Sequence, residues 1–154
     1  MQVLPQEGRP SRDYAVTVFV VQGVRVAFVY DELAARFAPP AGHIRPEELP
    51  GDAAARVALA QTGVPVTVVG ESLHPWQSGA LERPEGLMVE AVTPNHEHLN
   101  LVYFAHPAPG FRPRLSGELP TLRWFEQGEL GELELPPQVA GWAALAILRL
   151  GRGT

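Results

Sequence analysis

Two runs of β-branched and aromatic residues, Val16 to Val21 and Val24 to Tyr30, are separated by Gln22-Gly23 alone. Apolar runs of that length joined by two turn-forming residues predict a β-hairpin, which commits the early chain to a sheet. Later elements must cover that sheet. The stretch Ala53-Ala54-Ala55-Arg56-Val57-Ala58-Leu59-Ala60-Gln61-Thr62 has strong helix composition, with Asp52 as the expected cap and Gly63 as the stop. Further strands are predicted at Val64 to Val69, Leu87 to Val92, Leu99 to Ala105 and Leu122 to Phe125. A terminal amphipathic helix is predicted over Gln138 to Leu150, after Pro136-Pro137. Helices interspersed among strands predict an α/β domain whose mixed sheet is covered by two helices.

Three segments read as irregular. Met1 to Asp13 is a lead-in rich in turn residues. Pro39-Pro40-Ala41-Gly42, after the connection Asp31 to Phe37, is expected to lack regular structure, because proline removes donors and glycine admits unusual dihedrals. Glu71 to Gly86 is long for a connection in a compact domain, and loops of that kind often bind ligands.

Composition narrows the chemistry. With 154 residues, 45% of them apolar and 19% charged, a single domain is expected. No run approaches the roughly 18 apolar residues of a membrane span, and a basic, apolar leader is missing from the N-terminus, so a cytoplasmic protein away from membranes is the expectation. The absence of cysteine excludes disulfides, thiolate nucleophiles and cysteine-held metals. A net charge of -5 argues against binding nucleic-acid polymers but leaves small anionic ligands open. Every basic residue is arginine, so a cationic side chain that meets phosphate does so through a planar guanidinium.

The informative stretch is Gly42 to Val64. Gly42, Glu48, Arg56, Gly63 and Val64 fall on the spacing G-x5-E-x7-R-E-U-x-E-E-x-G-U, where U is a bulky aliphatic residue. Pro39-Pro40-Ala41-Gly42-His43 is similar to the Pro-Pro-Gly-Gly-His opening of the same motif. Arg83-Pro84-Glu85-Gly86, His96 to Ala105 and Leu122-Arg123-Trp124-Phe125 resemble later family segments. On these residues the chain resembles the Nudix hydrolase family over nearly its whole length.

The resemblance implies an α/β/α sandwich with a mixed sheet flanked by helices. It also implies an activity related to nucleoside diphosphate-X pyrophosphohydrolysis, with Mg2+ or Mn2+ as cofactor and a nucleotide or related phosphate compound as ligand. Helix-borne carboxylates would hold the ions, which bridge phosphate oxygens and help to activate water. The positions that carry them, 57, 60 and 61, are Val57, Ala60 and Gln61 here. Ala41 and Ala58 depart from the motif as well. The expectation is a weakly active or inactive hydrolase, in which Glu48 is the residual metal ligand and Arg56 orients it. Glu47, Asp52 and Glu97 are the carboxylates available to compensate. A helix this apolar is expected to be buried, with the metal cleft closed by packing or filled by an apolar group.

The same residues have plainer readings. Glu48 and Arg56 as an ion pair would support the loop-helix geometry without any chemistry. Phe37 and Trp76, beside loop residues, are candidates for stacking on a nucleobase, whereas Trp124 and Tyr103 on strands read as core. Arg45, in the motif loop, is a candidate phosphate contact; Arg12, Arg25, Arg36 and Arg83 are weaker ones. His96 and His98 could share one side of a strand and bind a transition metal, but with no third ligand evident at a supporting spacing they read as surface residues, as do His43, His74 and His106. Two alternatives therefore stand beside the enzyme. One is a non-catalytic nucleotide-binding or regulatory module. The other is an interaction protein, a homodimer for instance, that associates through the apolar helix or through the terminal helix carrying Trp142.

Overall fold

The computed structural model describes residues 8–72, 76–113 and 121–151. His74 and the first seven residues of the expected lead-in lie outside them. The element order is β1 (Ser11–Gln22), β2 (Arg25–Asp31), β3 (Arg36–Ala38), β4 (Ala41–His43), α1 (Pro50–Thr62), β5 (Val66–Val69), β6 (Gly86–Thr93), β7 (His96–Pro107), β8 (Leu122–Glu126), α2 (Gln127–Leu130) and α3 (Pro137–Leu150).

The hairpin forms as expected, with Val21 opposite Val26 and Gln22 opposite Arg25. The organising contact is a long parallel ladder, in which β1 pairs with β7 from Ser11 with His96 to Val20 with Ala105. On its other side β1 pairs first with β4 and then with β2. β6 and β5 pair antiparallel with successive parts of β7, and β8 pairs with β2. The eight described strands make one mixed sheet flanked by helices.

Side chains alternate across a strand, so each helix covers one face. α1 packs Ala53, Ala54, Val57 and Ala58 onto Val16, Val18, Val20 and Tyr103. α3 packs Ala143, Ala146 and Ile147 onto Phe19, Val21, Val102 and Phe104. Edge-to-face rings run through the second layer: Phe104 meets Phe19 and Trp142, each at 6.2 Å between centroids. The Trp142 ring also fills the space beside Gly86, where a Cβ would come within 2.4 Å of it. Trp142 is partly buried, with its ring packed on Phe104 and over Gly86.

Several boundaries differ from the sequence reading. Ser11 to Asp13 belong to β1 rather than to the lead-in. The run expected to be irregular contributes β4, because a donorless proline still accepts: the Val18 N–H donates to the Pro40 carbonyl at 2.9 Å, and Ala41 to His43 then join the ladder. Arg36 to Ala38 likewise pair with β2 as β3. Asp52 is not the cap; Leu49 occupies that position with extended backbone, Pro50 opens the helix, and Asp52 lies in the first turn. Gly63 does end α1, in the left-handed conformation at φ 72°. β5 begins at Val66, two residues later than expected. The four-residue α2 was not anticipated; its signal is a capping box between Glu126 and Glu129.

Candidate functional site

Glu48 sits just ahead of α1, and Arg56 projects back from its second turn. The guanidinium Nε donates to Glu48 Oε2 at 2.7 Å and Nη2 donates to Oε1 at 2.8 Å, a forked pair. Nη2 also donates to the His43 carbonyl at 2.9 Å, and the Arg45 backbone N–H donates to Glu48 Oε1 at 3.2 Å. The pair thus ties β4, the motif loop and α1 together. The Arg56 hydrogen bonds, opposed by partial burial, hold the Glu48 carboxyl down from its ordinary 4.5 to about 2.

This shift sets an acid dependence. The unfolded chain takes up the proton first, so the stability contributed by the pair is complete above pH 4.5 and is lost as pH falls toward about 2. Glu48→Gln is expected to flatten the stability profile across that interval and to cost about 1–3 kcal/mol at neutral pH, because Arg56 loses its partner. Denaturant unfolding of both proteins across the interval measures this, and parallel profiles would contradict it.

The three positions that the resemblance assigns to carboxylates hold uncharged side chains. Val57 is 3% exposed and lies against Gly42, where a Cβ would stand 3.0 Å from its Cγ2. Ala60 is exposed. The Gln61 amide bridges to β4, accepting from the Ala41 N–H at 3.2 Å and donating to the Ala41 carbonyl at 2.7 Å. α1 is therefore buried along one face only, with Leu59, Ala60 and Gln61 on its exposed side; Val57 packs on Gly42, and a cavity of about 380 Å3 remains beside Ala41 and Gln61. Asp52 is the one carboxylate on α1, and Glu48 already has both oxygens on Arg56. Hard divalent ions need several free oxygens, so this donor set does not fit Mg2+ or Mn2+ on the helix.

Beside Glu48 opens a cavity of about 1030 Å3. Its floor is apolar, with Tyr14, Leu87, Leu99 and Leu101 from β1, β6 and β7; Arg12 and Arg45 stand on its wall with Glu48. Glu97 is paired with Arg12 across the parallel ladder. Phe37 lies elsewhere, packed edge-on against Tyr30 and Phe125 at 5.3 and 5.2 Å, with the Arg123 guanidinium over it. Trp76 is 80% exposed and is not part of the cavity wall. Of the residues singled out by sequence, Glu48, Arg56, Arg45 and Glu97 gather at or beside this cavity, and the two loop aromatics do not.

Sequence reasoning missed a second gathering. Asp13, His43 and His98 bring one ligating atom each within 4.8 Å of one another. His98 packs against both His43 and His96, and burial, followed by those two rings, holds its imidazole below the ordinary value. His96, paired with His98 in the sequence reading, is not one of the three; the two other ligands come from β1 and β4, through pairings that no local spacing reveals.

Comparison with known proteins agrees with the architecture. The family model described as NUDIX domain matches residues 11–147. A Nudix-family hydrolase from Clostridium perfringens is 26% identical, with a TM-score of 0.76 over 91% of this chain and 99% of that one. A Nudix hydrolase from Nitrosomonas europaea is 18% identical, with a TM-score of 0.62 over 93% of each chain. A UDP-X diphosphatase is 15% identical, with a TM-score of 0.62 over 97% of this chain and 68% of that one. No curated protein sequence matches. A mixed sheet between α1 and α3, with the motif loop entering α1, defines the Nudix α/β fold. The chain belongs to the Nudix family.

Proposed function

We propose that this chain is a single-domain Nudix protein, related to nucleoside diphosphate-X pyrophosphohydrolases, in which divalent-metal hydrolysis is weak or lost and binding of a nucleotide or related phosphate compound is retained. The observation that carries this reading is the state of the carboxylates: Arg56 holds both oxygens of Glu48, and Val57, Ala60 and Gln61 offer no anionic group. The cavity supports the binding half. Its apolar floor suits a base or another uncharged moiety, and the Arg45 guanidinium suits phosphate oxygens. In this reading Glu48 and Arg56 hold the loop in shape, and Glu97 positions Arg12 at the cavity wall.

A phosphate-release panel of nucleoside di- and triphosphates and nucleotide sugars, with Mg2+ or Mn2+, tests it beside thermal shifts in EDTA. The expected result is release near background, with stabilisation by at least one compound in the absence of metal. Robust release that EDTA and Glu48→Gln both abolish would restore the enzyme.

A further inference from the structure

Asp13, His43 and His98 stand on three adjacent strands. Asp13 and His98 are Cα partners in the parallel ladder between β1 and β7. His43 is the partner of Ala15 on the other side of β1. All three backbones are fixed by sheet hydrogen bonds, so the cluster is set by strand register and not by loop conformation. His43 Nε2 and His98 Nε2 lie 3.0 Å apart. Two nitrogens bound to one ion at the usual bond length of about 2.0–2.1 Å are separated by about 2.8–3.0 Å in octahedral and about 3.3–3.4 Å in tetrahedral geometry. The two rings, which share a hydrogen bond, therefore already stand at the separation of cis ligands and within a few tenths of an ångström of the tetrahedral one.

The carboxylate is oriented from outside. His96 Nε2 lies 3.2 Å from Asp13 Oδ2, and its Nδ1 lies 2.8 Å from Ser11 Oγ. A carboxylate held in this way by a neighbouring polar group is what supporting partners do in protein metal centres. Asp13 and His43 are exposed, which gives an ion a path from solvent.

We propose that Asp13, His43 and His98 form a binding site for one divalent transition-metal ion of the imidazole-preferring class, zinc(II) above all, with the remaining coordination positions left to water. Two imidazoles and one carboxylate favour zinc or cobalt over magnesium, which prefers an all-oxygen shell. The site owes nothing to the glutamate positions of α1, but Asp13 and His43 also line the cavity beside Glu48, so the metal is titrated with no phosphate compound present.

The test uses the full chain without a histidine tag, stripped with EDTA. Zinc is titrated calorimetrically, and cobalt(II) is titrated by visible absorption as a spectroscopic stand-in. One equivalent is expected to bind, with intense cobalt bands, and millimolar Mg2+ is expected not to displace it. His43→Ala and Asp13→Asn, both at exposed positions, are expected to weaken binding by about tenfold or more while melting like the parent in EDTA. His98→Asn provides a third variant, and His106→Ala serves as a histidine control that leaves binding unchanged. Failure to bind one equivalent, retention of affinity in both His43→Ala and Asp13→Asn, or an equal loss in His106→Ala would overturn the site.

Discussion

Val57→Glu, which installs the side chain that the family motif carries at this position, is expected to destabilise the protein by about 3–5 kcal/mol at neutral pH, because an unpaired carboxylate would enter a buried position. Val57 is 3% exposed, among the alanines of α1 and the valines of β1. Burial raises the pKa of such a carboxyl above its unfolded value, so the penalty is full at high pH and shrinks as pH falls through the raised value. Denaturant unfolding at two pH values measures both parts. The variant is expected to gain no stabilisation from Mg2+ or Mn2+. A variant as stable as its parent and further stabilised by either ion would mean that position 57 faces an open metal cleft, and the binding-protein reading would fall with it.

Phe104→Ala is expected to cost a similar amount, about 3–5 kcal/mol, for a different reason. Phe104 is fully buried on β7 and joins Phe19 on β1 to Trp142 on α3 through edge-to-face contacts. Removing the ring leaves a void between sheet and helix that cannot close without moving both. For a chain of this length the melting temperature should fall by on the order of 10 °C, with a change in Trp142 fluorescence in the folded state. A loss below about 1 kcal/mol would mean that α3 does not rest on the sheet through this contact.

The elements legible in the sequence were those whose signal is local. The hairpin announces itself through two β-branched runs around Gln22-Gly23, α1 through its alanines and Gly63, and α3 through proline followed by helical spacing. β4 was hidden because Pro39, Pro40 and Gly42 act as punctuation in isolation, and only the neighbouring strand turns their carbonyls and amides into a ladder. The Glu48 and Arg56 pair was legible because seven residues of loop and helix separate them, and the motif fixes that distance. Phe37 was misjudged for the opposite reason: loop surroundings suggested an open aromatic face, but Arg36 to Ala38 pair with β2, and the ring joins Tyr30 and Phe125. The histidine cluster was out of reach altogether. His43 and His98 are 55 residues apart, and only the register of β1 between β4 and β7 places them ring to ring.

The Gln61 bridge bears on how such a protein can change. Its amide meets both backbone groups of Ala41, one by accepting and one by donating. A glutamate there has oxygens for the Ala41 N–H but no hydrogen for the Ala41 carbonyl, so Gln61→Glu forfeits half of the bridge. Together with the penalty at position 57, this makes two of the three motif glutamates costly to install one at a time, whereas exposed Ala60 would accept one freely.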